Sequence, residues 1–333
     1  MMTIAAVPVF AVVVGGFGGP LFGLATAPSG NLLVADGGTG IVELRKGVRQ
    51  SVIPLAGVTD VSPIGSSSIW AITGANAPTG LNDTGQGLHR VSNGVSRKLA
   101  NLFAFEQAHN PAGGDVDSNP FDVHSLGGDA ALVVDAAGND LLRVDNQGNV
   151  RVMAVFPNEL VSTANLKQLA GCPGPAPFCG LGDAIPAQPV PTSIAMLNGY
   201  IYVGELKGFP APTGESNIWR VSPTADGAQC GMSPDCVKLF DGGFTSIIDM
   251  TIGPDGQLYV AEMDEASWAA VQIFQAPTTG TINACNLQSL TCQVVAPGIP
   301  VLTGIVFGKD GVLWATQNAL TPGALTWVSD GLI

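Results

Sequence analysis

The sequence predicts an all-β protein, a single six-bladed β-propeller of four-stranded antiparallel blades spanning residues 1–333. Three observations predict it. One hairpin pattern recurs six times. A third strand follows each copy. The last copy lacks a fourth strand, which an apolar N-terminal segment can supply.

The hairpins come in chain order. Gly23–Thr26 leads through PSGN to Leu32–Asp36, and Asp60–Ser62 through a Ser-rich turn to Ile69–Thr73. Asp122–His124 leads through LGGD to Leu132–Asp135, and Ser193–Ala195 through LNG to Tyr200–Glu205. Asp249–Thr251 leads through GPDG to Leu258–Glu262, and Gly304–Val306 through GKDG to Leu313–Thr316. Gly, Asn and Asp at the turns suit tight β connections. The third strands are expected at Ile41–Leu44, Leu88–Val91, Leu141–Val144, Ile218–Val221, Val271–Phe274 and Leu325–Val328. Three of them read almost alike, as LHRVS, LLRVD and IWRVS. Fourth strands follow in most copies, as in Val150–Val155 and Val237–Phe240. The chain ends before a sixth, and Val7–Val13 (VPVFAVV) is expected to close the last blade. Radial repetition of this kind leaves no long bare sheet edge.

Composition agrees. The 44 Gly and 24 Pro are spread along the chain, which argues for many turns rather than a disordered tail. The best helical candidate, Asn158–Leu169, is short. The net charge of −13 shows no basic face, so a nucleic-acid partner is not expected. No apolar run reaches the length of a transmembrane helix. The start, MMTIAAVPVFAVVVGG, is apolar but has no basic region before it and reads as a strand rather than a signal peptide.

The six cysteines fall in three close pairs, Cys172/Cys179, Cys230/Cys236 and Cys285/Cys292. None forms a CxxC, which disfavours zinc. Three local disulfides are expected, each closing a small loop worth roughly 2–3 kcal/mol on the chain-entropy model. They imply an oxidising location: secreted, periplasmic or at the cell surface.

The stretches NPFDV, VVDAAGNDLLRVD, VPTSIA, VGELKGFP and TSIIDMTIGPDGQLYVAE resemble the ScyD/ScyE family of secreted NHL-like propellers. The resemblance covers nearly the whole chain and is strongest from Pro120 to Glu262. It implies the fold and export more than a reaction. More distantly, the architecture is similar to gluconolactonase, paraoxonase and strictosidine synthase propellers and to virginiamycin B lyase. The lactonase-type propellers hold a divalent ion on the axis, although their ligand motif does not align here residue by residue.

The candidate site follows from alternation along the first strands. The second column of the alignment (Leu24, Val61, Val123, Ile194, Met250, Ile305) is apolar and should pack between blades. The flanking columns should then face the central channel. One contains Asp60, Asp122, Ser193 and Asp249, and the other contains His124. The second strands end in Asp36, Thr73, Asp135, Glu205, Glu262 and Thr316, on the face where the first strands begin. The long connections 74–87, 102–120, 157–191 and 207–217 belong to that same face, the top.

Such a ring of acids has three roles open to it. The acids can cap strand ends through backbone amides. They can hold a hard cation such as calcium, with Asp60, Asp122, Ser193, Asp249, Glu205 and Glu262 as candidate ligands. They can perform acid–base chemistry with Asp122, His124 or His109, the first two placed to hydrogen-bond each other. Arg90, Arg143 and Arg220 recur on third strands and are expected to make inter-strand pairs. No GxSxG, HExxH, phosphate-loop or dinucleotide motif is present. Two functions follow. The first is a secreted binding or scaffold protein, presenting an acidic funnel and long loops to a small molecule or protein partner. The alternative is a calcium-dependent hydrolase, lactonase-like, or a lyase acting at the funnel.

Overall fold

The computed structural model describes residues 14–74, 85–320 and 323–328. Four-stranded antiparallel sheets, each ordered by sequence from the axis outward, form the blades. Blade 1 comprises Leu21–Thr26, Leu32–Asp36, Gly40–Arg45 and Val48–Pro54. Blade 2 comprises Val58–Ile64, Ser68–Thr73, Gly87–Ser92 and Val95–Asn101. Blade 3 comprises Pro120–Ser125, Ala130–Asp135, Asp140–Asp145 and Val150–Val155. Blade 4 comprises Pro191–Leu197, Tyr200–Glu205, Ser216–Val221 and Cys236–Phe244. Blade 5 comprises Ile247–Ile252, Leu258–Glu262, Gly280–Asn286 and Thr291–Ile299. Blade 6 holds Ile305–Phe307, Leu313–Gln317 and Ala324–Val328.

The second strands are buried on both faces because each blade is covered by a neighbour on either side; Ala130–Asp135 is buried at every position. The core is accordingly divided into one apolar cluster per blade interface. Trp70, Leu88, Val123 and Val133 fill the cleft between blades 2 and 3. Leu132, Ile194, Val203 and Trp219 fill the next. Leu21, Val34, Ala319 and Leu325 join blade 6 to blade 1 and close the ring. The closure is also hydrogen-bonded: Thr26 Oγ1 donates to the Phe307 carbonyl at 2.7 Å.

The proposed closing strand Val7–Val13 lies outside the described residues. Its neighbour Val14 forms an antiparallel bridge with Leu325, the Leu325 amide donating to the Val14 carbonyl at 2.8 Å. The bridge lies on the outer edge of blade 6, where a fourth strand belongs.

Two expectations are corrected. The third strand of blade 5 is Gly280–Asn286, not Val271–Phe274, and Trp268–Gln272 is a short helix. The strand carries Thr281 and Asn283 at buried positions, so it lacks an apolar signature. The helix buries Ala269 and Ala270 against the top-face insertions. The helical candidate Asn158–Leu169 splits in two. Glu159–Ser162 pairs with Ala184–Ala187 as a two-stranded ribbon, and only Ala164–Leu169 is helical.

The three disulfides join the expected partners, Cys172–Cys179, Cys230–Cys236 and Cys285–Cys292. The second ties a loop of blade 4 that reaches back to blade 3, where Ala228–Gln229 adds a short parallel strand outside Val150–Val155.

Two predictions follow. Deleting residues 1–14 should bare the edge of blade 6. Melting should fall by about 5 °C or more, since 1 kcal/mol corresponds to about 2–4 °C in a chain of this size; an unchanged melting curve would contradict the closure. In the native protein, Cys230–Cys236, both sulfurs being buried, should be the last bridge reduced by a mild thiol, as read by peptide mapping. Its reduction ahead of Cys172–Cys179 would contradict the packing.

Candidate functional site

The inner strands present their bare edges to the axis, so their outward amides need acceptors. The axial carboxylates supply them, each to the next blade round the ring. Asp60 Oδ2 accepts from the Val123 amide at 3.0 Å. Asp122 Oδ2 accepts from the Ile194 amide at 2.5 Å, and Asp249 Oδ2 from the Ile305 amide at 2.6 Å. The donors Val123, Ile194 and Ile305 all come from the apolar second column, which is buried between blades as expected.

The remaining members of the first column show why the ring is incomplete. Gly23 lies so close to Asp60 that a Cβ there would sit 2.6 Å from the Asp60 Cα. A Cβ on Gly304 would sit 2.6 Å from the Phe22 carbonyl. Ser193 is buried, and its hydroxyl has no hydrogen-bond partner. The Met250 amide, which stands in the next blade where Ile194 and Ile305 stand in theirs, donates to Asp249 Oδ1 at 2.7 Å.

The three acids line a channel of about 330 Å³ together with Ser62, His124 and Thr251. Asp60 and Asp122 hydrogen-bond each other. Burial, followed by the Asp122 charge, pushes Asp60 well above the usual carboxylate range. Burial also raises Asp122, to about 6, and raises Asp249 strongly, with the Asp122 charge adding to it. Both shifts favour keeping a proton between the two carboxyls, as close carboxyls do.

His124 lines the same channel, and burial lowers its pKa. The expected Asp122–His124 hydrogen bond is not formed. Asp122 is engaged by Ile194 and Asp60, and residues two apart on a strand are about 7 Å apart. His109 ends the helix Leu102–His109, exposed and stacked on Phe105 at 4.4 Å, away from the channel.

The acids ending the second strands do not join the axial ring. Asp36 accepts from the Gly18 and Gly38 amides and from Thr39 Oγ1. Asp135 accepts from Ser118 Oγ and from the Asn119, Ala137 and Gly138 amides. Glu262 accepts from the Thr245 amide and from Asn283 Nδ2. Each shapes the turn at its own strand end. Glu205 accepts from Trp219 Nε1 and Asn217 Nδ2. It also pairs with the fully buried Lys207 at 2.7 Å, and Lys207 pairs in turn with Glu159 at 2.7 Å. Sequence reasoning missed this network. Its signal was the ELK of VGELKGFP, a cation two residues beyond a strand-ending acid.

That network anchors the top-face insertions into one cap. Asn165 Nδ2 donates to the Ala211 carbonyl and to Ser267 Oγ, joining three separate connections. Phe178 packs against Phe209 and Phe274 above them.

Of the expected inter-strand pairs, those of Arg90 and Arg220 are formed with aromatic rings of the adjacent strand rather than with acids, and Arg143 makes no ion pair among the described residues. Arg90 lies over the Trp70 ring at 4.7 Å and Arg220 over the Tyr200 ring at 4.9 Å, because aromatic faces rather than acids stand opposite them.

Among the described residues, no three or more His, Cys, Asp or Glu side chains are arranged to hold a metal ion. Asp60, Asp122 and Asp249 each give one oxygen to an amide of the next blade, and Asp249 gives its second to the Met250 amide, so the ring leaves few free oxygens for a cation and fits one poorly.

No family model matches the chain, and no curated protein does. Solved structures with the same architecture do. Virginiamycin B lyase from Staphylococcus aureus is 14% identical at a TM-score of 0.51, covering 90% of this chain and 78% of its own. A gluconolactonase from Xanthomonas campestris is 12% identical at 0.55, covering 95% and 88%. The soluble aldose sugar dehydrogenase from Escherichia coli is 13% identical at 0.56, covering 96% and 99%. At these identities the likeness establishes the fold alone.

The raised acids give a pH dependence with a defined sign. A carboxyl whose folded pKa exceeds its unfolded value stabilises below the unfolded value, and that stability is lost as pH rises through the folded one. Asp122 at about 6 belongs to this class, as does the buried Glu106, raised to about 7 by burial and then by Asp135. Melting temperature should therefore fall between pH 4 and pH 8. In Asp122→Asn the amide can still accept from Ile194 and can donate to Asp60. This substitution should flatten the fall and raise melting at pH 8 by about 2–4 °C. An equal loss of stability at every pH would contradict the shared proton.

Proposed function

We propose that this protein is an extracytoplasmic binding or scaffold propeller, not a metal-dependent enzyme. The observation that carries the reading is the engagement of Asp60, Asp122 and Asp249 with the amides of the following blades. Acids that hold the ring together have few oxygens left with which to coordinate a cation and leave a position open for substrate. The capped top face, cross-linked by Asn165 and Lys207, supports a rigid presenting surface. The three disulfides support an oxidising compartment. The ScyD/ScyE resemblance of Pro120–Glu262 points the same way. Among the described residues, no helix is long and apolar enough to cross a membrane. The partner is a protein or small polar molecule at the top face and channel.

A second reading has one observation in its favour. Asp60 and Asp122 form a close carboxyl pair, both raised by burial, in the channel that His124 also lines, the minimum for metal-free acid–base hydrolysis or elimination.

Melting in calcium and in chelator, together with turnover of a simple aldonolactone, separates these readings. The binding reading expects no shift with either addition and no turnover. A calcium-dependent rise in melting that Asp122→Asn removes would overturn it in favour of a metal enzyme. Lactone turnover that persists in chelator and is lost in Asp122→Asn would overturn it in favour of the dyad.

A further inference from the structure

The cleft between the outer parts of blades 2 and 3 holds an arginine pair that has no acidic partner. Arg90 and Arg97 stand directly opposite each other on adjacent strands of blade 2. Like charges so placed repel, and a sheet normally avoids the arrangement or supplies a counter-charge. Neither guanidinium makes an ion pair among the described residues, in a protein with 26 acidic residues against 13 basic ones. Asp129, next to Gly128 in sequence and exposed, pairs with neither arginine among the described residues. Asp145, at the start of the adjacent turn, accepts from the Gln147 and Asn149 amides and from Asn149 Nδ2.

Arg90 is held in place from two sides. Its guanidinium lies over the Trp70 ring at 4.7 Å, and Nη1 donates to the Gly128 carbonyl at 2.9 Å. Trp70 is itself fully buried and fixed, its Nε1 donating to the Gly127 carbonyl at 2.9 Å. A guanidinium carries five N–H donors, so most of those on Arg90 remain for another acceptor. The side chain of Arg97, which is exposed, makes no hydrogen bond among the described residues. Across the cleft stand Asn146 and Gln147 of the blade 3 turn, whose side-chain amides make no hydrogen bond among the described residues. These residues, with Leu99 and Gly128, line a cleft of about 360 Å³.

We propose that this cleft is an oxyanion-binding site, taking a carboxylate, sulfate or phosphate group carried on a body no larger than a monosaccharide. Two guanidinium forks match the paired oxygens of such groups, and the two amides can donate to the rest. The bound anion would relieve the repulsion between Arg90 and Arg97. The pre-organised Arg90 lowers the ordering cost of binding. The site lies apart from the axial channel and holds whether or not that channel binds a ligand.

The test is calorimetric titration of the full chain with inorganic sulfate, inorganic phosphate and glucuronate, at ionic strength held constant with chloride. Glucose serves as the neutral control. At least one of the three anions should bind and glucose should not. Arg97→Gln, a change at an exposed position, should weaken binding at least tenfold. Arg45→Gln, an exposed arginine on blade 1, should leave it unchanged. Binding of sulfate and phosphate without glucuronate would support the site and identify a tetrahedral group; binding of glucuronate alone would support it and identify a carboxylate. Absence of binding by all three, or equal binding by wild type and Arg97→Gln, would overturn the proposal.

Discussion

Six strands meet at the axis of this molecule with one edge bare, and the amides along those edges have to be satisfied where water has little room. The rest of the structure depends on how that constraint is met. Asp60, Asp122 and Asp249 reach across to the next blade and accept its amide, so one side chain both satisfies an edge and ties two blades together. The arrangement draws three carboxyls into a narrow channel. Burial and mutual repulsion then keep part of them protonated. The axial geometry and the titration behaviour thus have one origin.

The same economy of position explains the glycines of the ring. Asp60 of blade 2 comes too close for any side chain at Gly23 of blade 1, and Phe22 of blade 1 too close for one at Gly304 of blade 6. Where a carboxylate cannot fit, the apolar interfaces and contacts such as Thr303 Oγ1 donating to the Leu21 carbonyl carry the join. Away from the axis, acids at the second-strand ends organise their own turns, and Lys207 secures Glu205 and Glu159 beneath the top-face cap.

Much of this was legible in the sequence. The hairpin repeat placed all six inner strands and their partners, since period-2 alternation with Gly and Asp turns is a strong local signal. The local cysteine pairs were equally readable. Blade 5 was not, because its third strand buries Thr281 and Asn283, and the more apolar VQIF nearby belongs partly to a helix. At the site, alternation identified the column containing Asp60, Asp122 and Asp249 as distinct from the apolar one. It could not say what the oxygens accept. That depends on residues about 56–72 positions away in sequence, brought close only by ring closure. The Asp122–His124 pairing failed for the same reason, since the competing partners come from other blades.

Amide hydrogen exchange at Val123, Ile194 and Ile305 tests the inter-blade role of the carboxylates most directly. In wild type these three amides should be protected, with no change on adding calcium. Asp60→Ala, Asp122→Ala and Asp249→Ala should each selectively release the amide it serves, in that order, while core amides such as that of Val133 stay protected. Protection that persists through all three substitutions, or that depends on calcium, would contradict the account.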